Sequence, residues 1–151
     1  MKEFTSIEDI LDFAINNEQK DVDFYNKLAG NSNNEEMTEV FTQFAKEEMG
    51  HKAKLTKIKT EGTFNIKEEK VLDLKMSDYL VDVQPKPDMS YEEALILAMK
   101  REKNAFKLYT HLSKKAPTAD LRKIFQSLAI EESKHKLRFE LEYDDIVMRE
   151  N

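Results

Sequence analysis

The feature that most constrains this chain is an ungapped internal repeat at a spacing of 84 residues. Ser6 recurs as Ser90, Leu11 as Leu95, Ala14 as Ala98, Glu18 as Glu102, Tyr25 as Tyr109 and Leu28 as Leu112. Further on, Phe41 recurs as Phe125, Ala45 as Ala129, Glu47 as Glu131, Glu48 as Glu132 and His51 as His135. A repeat without insertions implies two equivalent supersecondary units that bury a shared core. Within each unit the apolar residues return every three or four positions, which is the period of an amphipathic helix. The four stripes run Ile7, Leu11, Ala14, Glu18, Val22, Tyr25, Leu28; then Met37, Phe41, Phe44, Glu48, His51, Leu55, Ile58; then Tyr91, Leu95, Ala98, Glu102, Phe106, Tyr109, Leu112; then Leu121, Phe125, Leu128, Glu132, His135, Phe139, extended by Tyr143 and Ile146.

Each stripe therefore carries acids or imidazoles where apolar side chains belong. Residues three apart on a helix share a face one turn apart, so Glu48 and His51, and again Glu132 and His135, can each present a carboxylate and an imidazole to one point. A lone Glu-x-x-His in a helical protein is ordinarily a surface pair worth a few tenths of a kcal/mol. Here two of them lie in core register, in step with two further core acids, Glu18 and Glu102.

The helix ends are also readable. Ser6 with Asp9 resembles a capping box with a shortened acid, and Ser90 with Glu93 makes a full one. Gly30 stands as a helix stop, and Asn31-Ser-Asn-Asn34 as a polar turn with a new N-cap. The second helix is expected to run to about Thr60, before Gly62. The third is closed by Lys114, Lys115 and Ala116-Pro117, and the fourth runs from about Thr118. Periodicity lapses over 61–89, and a connection of that length is expected to traverse the structure as a crossover, with a short helical turn near Ser77 before Pro85 and Pro87. The expected architecture is all-α, a four-helix bundle of two duplicated hairpins in one domain spanning 1–151, with the crossover between helices two and three.

Composition narrows the chemistry. A chain of 151 residues with 36% charged side chains, three Gly and three Pro favours long solvated helices over a turn-rich β architecture. The net charge of -6 argues against nucleic acid or anionic membranes as partners. No stretch approaches a membrane span, and a cytoplasmic protein is expected. With no cysteine, the chain has no disulfide, thiolate metal site or iron-sulfur centre, so redox chemistry must use oxygen and nitrogen ligands.

Two hairpins packed about a pseudo-two-fold axis bring together one Glu and one Glu-x-x-His from each half. That sum is the ligand set of carboxylate-bridged dinuclear sites in helix bundles. Four ionised carboxylates facing one another in a low-dielectric core repel and are costly to desolvate, whereas two divalent cations cancel their charge. Iron or manganese suits such ligation best, and zinc can also enter it.

These motifs, the tyrosines seven residues after Glu18 and Glu102, and the stretch MSDYLVDVQPKPDMSYEEALILAMKREKNAFKLYTHL resemble the rubrerythrin-like branch of the ferritin-like superfamily. The resemblance covers nearly the whole chain. It implies a dimeric four-helix bundle with a non-haem di-iron centre that reacts with hydrogen peroxide or dioxygen, and it makes Glu18, Glu48, His51, Glu102, Glu132 and His135 the metal ligands. Rubrerythrins proper also carry a cysteine-bearing rubredoxin domain that feeds electrons to the site. This chain has no cysteine, so a separate electron-donor protein is expected. They carry a further carboxylate one turn beyond the helix-three glutamate, where this sequence has Ala105, so the resemblance does not carry over that family's redox-linked ligand switch.

Several positions remain open at this stage. Asp21, one turn beyond Glu18, is either a seventh carboxylate or part of a solvated helix face. Tyr25 and Tyr109 are either core aromatics with hydroxyls at a bundle edge or donors into the carboxylate layer. Glu47 and Glu131 sit about 100° round the helix from the ligands and face partners or solvent. His111 corresponds to Lys27 and is expected at the surface, while Met49, Met76, Met89 and Met99 fill core or edge positions. Two other functions fit the same residues: ferrous oxidation for iron storage in a large hollow assembly, and a structural metal site in an interaction protein.

Overall fold

A computed structural model describes residues 6–61, 89–116 and 118–150, with the side chains of Ile7 and Glu150 excepted. Four helices account for them: α1 (Ile7–Asn31), α2 (Glu35–Glu61), α3 (Tyr91–Lys115) and α4 (Ala119–Glu150). The chain packs as two hairpins, α1 on α2 and α3 on α4. The expected crossover and the turn near Ser77, with Met76, lie outside the described residues.

The helix starts are set by side chains that satisfy orphan backbone donors. Ser6 Oγ accepts from the Asp9 amide at 3.1 Å, and Asn34 Oδ1 accepts from the Met37 amide at 3.2 Å. Ser90 makes the reciprocal box with Glu93, at 3.1 Å and 3.2 Å. Thr118 Oγ1 accepts from the Leu121 amide at 3.1 Å and opens α4. Gly30 does not stop α1, which continues to Asn31. The helix ends because Ser32 turns extended, with φ -80 and ψ 136, while its amide still reaches the Ala29 carbonyl. Gly30 has open space around it and no left-handed backbone, so nothing there demands glycine.

The core divides into two apolar layers. One gathers Leu11, Ala14, Leu55, Tyr109, Leu112, Phe125 and Leu128. The other gathers Tyr25, Leu28, Phe41, Phe44, Leu95, Ala98 and Phe139. Each layer draws on all four helices, and Glu18, Glu48, Glu102 and Glu132 fall between them in sequence on every helix. The second layer is the more aromatic. Phe44 and Phe139 meet at 4.1 Å between ring centroids, Tyr25 stacks on Phe41 at 5.8 Å, and Phe44 packs edge-on against His135 at 4.8 Å. Each fully buried aromatic or branched side chain contributes about 1.5–3 kcal/mol, so these layers clamp the polar residues between them.

The stripe assignment of Phe106 and the core or edge placement of Met49 need correction. Phe106 is 40% exposed, and Met49 is 50% exposed. The buried face of α3 takes in Ala94, Leu97, Arg101 and Leu108 as well as the expected stripe, so its centre is rotated away from Phe106. A bundle helix touches two neighbours and buries a wider sector than one stripe. Met89 and Met99 do pack against the second layer, and His111 is half-buried rather than surface-exposed. Among the described residues no helix is long and apolar enough to cross a membrane.

Candidate metal centre

The two Glu-x-x-His pairs arise on α2 and α4, and the two further acids on α1 and α3. The structure brings all six residues into the layer between the apolar cores. Glu18 is buried, Glu48, Glu102, Glu132 and His135 almost completely so, and His51 keeps 12% exposure. Two four-residue sets emerge, Glu18, Glu48, His51, Glu132 and Glu48, Glu102, Glu132, His135, each with donor atoms within 4.8 Å of one another. Glu48 and Glu132 belong to both sets. Adding the 84-residue spacing to one set reproduces the other, with the shared pair exchanged. The sequence repeat is thus a local two-fold in space.

The short distances follow the same symmetry. His51 Nδ1 lies 2.8 Å from Glu132 Oε1, with Glu18 Oε1 at 3.7 Å and Glu48 Oε2 at 3.8 Å. His135 Nδ1 lies 3.0 Å from Glu48 Oε1, with Glu102 Oε2 at 3.6 Å and Glu132 Oε1 at 3.8 Å. The two imidazoles face each other nearly parallel, 5.6 Å apart. Each histidine is thus closest to the glutamate of the opposite hairpin.

Both tyrosines reach the carboxylate layer rather than a bundle edge. The Tyr25 hydroxyl donates to Glu102 Oε1 at 2.5 Å, and the Tyr109 hydroxyl donates to Glu18 Oε1. Each bond crosses between α1 and α3, so each hairpin orients an acid of the other. Burial, together with the neighbouring carboxylates, pushes both phenols well above their ordinary range, and they stay protonated donors.

Asp21 is not on a solvated face. It is buried and accepts from Arg101 Nη1 at 2.8 Å, and the guanidinium lies over the Phe24 ring at 4.1 Å. Asp21 stands outside both donor sets. The sequence reading did not single out Arg101. Its signal was a break in the repeat: Asp21 corresponds to Ala105 and Arg101 to Asn17, so an opposite-charge pair occurs where the other half has a small and a neutral residue. Glu47 also has a role near the site, holding Arg138 Nη1 at 3.2 Å and lying 3.5 Å from the outer nitrogen of His135. Glu131 faces Lys134 at 4.0 Å. His111 lies in neither donor set.

The polar atoms of the layer are poorly satisfied by protein alone. Glu18 Oε2, Glu102 Oε2, both oxygens of Glu48 and Glu132, and Nδ1 of both histidines are buried without a hydrogen-bond partner. Orphan acceptors cost free energy unless something fills them, and a cluster dominated by acceptors calls for cations. Burial, with repulsion from Glu132, Glu18 and Glu102, pushes Glu48 well above the usual carboxylate range. Burial, with repulsion from Glu102 and Glu18, does the same to Glu132. Burial alone would raise Glu18 too, but the close approach of Glu48 and His51 and the Tyr109 hydroxyl outweigh it and hold that group low. For His135, burial would lower the value, yet Glu102 and Glu47 hold the imidazole above its ordinary range. Without cations the cluster keeps protons, and cations would displace them. The residues fit a pair of divalent metal ions.

Such a fold and cluster define a class: a ferritin-like four-helix bundle built around a buried carboxylate–histidine cluster suited to metal. Comparison with known proteins agrees. The sequence matches the rubrerythrin family over residues 9–143. This chain belongs to the rubrerythrin family. No curated protein matches it by sequence. Among solved structures, it is similar to a candidate ferritin-like diiron-carboxylate protein from Thermotoga maritima, 21% identical, with a TM-score of 0.79 over 95% of this chain and 98% of that one. It is also similar to a hypothetical protein from Pyrococcus furiosus, 23% identical, with a TM-score of 0.70 over 92% of this chain and 89% of that one. At these identities the likeness speaks to the fold.

Proposed function

We propose that this chain holds two iron ions and is an oxidoreductase that reduces hydrogen peroxide or dioxygen with electrons from a separate donor protein. The observation that carries the reading is the pair of overlapping donor sets, in which Glu48 and Glu132 are common to both. Glu18 and His51 complete one ion's protein ligands, and Glu102 and His135 the other's. Oxygen and imidazole donors suit iron or manganese, and manganese or zinc would compete for the site. Six residues shared between two ions leave coordination positions unfilled, which distinguishes reactive metal sites from closed structural ones.

When bound, two ferrous ions supply one electron each, which with two protons converts hydrogen peroxide to two waters. The protein's part is positioning. Tyr25 and Tyr109 fix the carboxylates of Glu102 and Glu18 from across the bundle, and Glu47 with Arg138 backs the outer edge of His135. The apolar layers on either side keep bulk water away from the donors.

The test is rapid mixing of the anaerobic ferrous-loaded chain with peroxide. Oxidation of two ferrous ions per peroxide, repeated on each re-reduction, is expected. A loaded chain that stays ferrous toward both peroxide and air would reduce the site to a structural one. Continued uptake of iron into a mineral would instead support iron storage.

A further inference from the structure

On α4, Ile130, Leu137, Leu141 and Met148 are 54%, 55%, 61% and 77% exposed. Their spacing of seven, four and seven places them within about 20° of one line along the helix, about 27 Å long. That line is opposite the buried face of Glu132, His135 and Phe139, so α4 is apolar on two opposite sides. The duplication supplies an internal control. Three of the four have counterparts on α2, at Lys46, Ala53 and Lys57, so that helix carries no such stripe. An exposed apolar line that the fold does not need marks a contact surface.

Two polar residues complete the pattern. Lys134 and Asp144, both exposed, fall into the same line and turn it into a run with alternating four- and three-residue steps, the spacing of a two-stranded coil. The run is a palindrome about position 139. In an antiparallel pair centred there, Ile130 meets Met148, Leu137 meets Leu141, and Lys134 meets Asp144. Apolar residues oppose apolar ones, and the one cation opposes the one anion of the run. A two-fold dimer interface demands such self-complementarity.

We infer that the outer face of α4 is a docking surface for a second copy of this chain, packed antiparallel through Ile130, Lys134, Leu137, Leu141, Asp144 and Met148. The inference stands apart from the metal chemistry, because the stripe faces away from the site. The paired charges would fix register and orientation, since shifted antiparallel alignments set Lys134 or Asp144 against an apolar residue and a parallel in-register pair sets each against its own like charge.

Sedimentation equilibrium of the full chain tests this. A dimer is expected. Lys134→Asp alone and Asp144→Lys alone should each weaken it at least about tenfold by opposing like charges. The double variant should return to within a few-fold of the parent, and Leu137→Glu should give monomers. All three positions are solvent-exposed, and far-ultraviolet circular dichroism verifies that the variants keep their helix content. A monomeric parent chain would overturn the inference. So would a dimer indifferent to Leu137→Glu, or a double variant no tighter than the singles.

Discussion

Glu48 and Glu132 carry the account at the scale of single residues, because each is common to both donor sets. Glu48→Gln should abolish binding of both ions, whereas Glu18→Gln or Glu102→Gln should chiefly weaken one of the two. The same substitution replaces a carboxyl that burial and its neighbours force to keep a proton with a neutral amide that needs none. The metal-free Glu48→Gln chain should therefore melt higher than the metal-free parent at neutral pH, by roughly 2–4 °C per kcal/mol relieved in a chain of this size. Differential scanning calorimetry checks both halves, since the variant should also lose the metal-induced rise. A different cost attaches to Asp21 and Arg101. Burial with repulsion from Glu102 and Glu18 already raises Asp21, so Arg101→Met leaves a buried carboxyl without its donor and should destabilise the chain by about 1–3 kcal/mol. Asp21→Leu with Arg101→Met should recover much of the loss, as read from urea midpoints. A single variant within error of the parent would show the pair to be solvated.

At the scale of elements, the two halves can be compared position by position. The Ser90 capping box satisfies two orphan amides, and Ser90→Ala should cost about 1 kcal/mol in denaturant unfolding. Most of what the elements do was legible in the sequence. The caps at Ser6, Asn34 and Ser90, the start of the fourth helix near Thr118, and the core register of Glu18, Glu48, Glu102, Glu132 and both histidines, follow from local chemistry and from the helical period. The period gives a residue's direction around its own helix and says nothing about which neighbour stands there. That is why the reach of Tyr25 to Glu102 and of Tyr109 to Glu18 stayed open until the helices were placed. It is also why Arg101 was missed and Phe106 misassigned, since both turn on how α3 is rotated against its neighbours. Asp21 looked like an ordinary surface acid in a charged segment, and its burial depends on a partner 80 residues away.

At the scale of the whole molecule, the metal-free protein and the loaded protein should respond oppositely to pH. The raised values of Glu48, Glu132 and Asp21 mean that the folded chain retains protons the unfolded chain has released. Stability from these groups is full below the ordinary carboxylate range and is lost as pH rises through the raised values. His135, also raised, acts in the same direction above its ordinary value. Glu18, held low, runs the other way and loses its contribution as pH falls. Three raised carboxylates against one lowered give a metal-free chain more stable near about pH 5 than near about pH 7.5, with the order reversed once metal displaces the protons. Urea midpoints at the two pH values, with and without metal, check this. A metal-free chain that gains stability toward neutral pH would contradict the proposed repulsion. Ligand linkage sets the scale of the metal effect, about 2.7 kcal/mol when free metal is a hundredfold above its dissociation constant.

The central claim is that one buried layer holds two ions through shared Glu48 and Glu132, and the number of ions bound tests it most directly. Anaerobic titration of the metal-free chain with ferrous iron, followed by calorimetry and by metal analysis after desalting, should break at two ions per chain, with protons released on binding. A break at one ion, or no saturable binding, would contradict it.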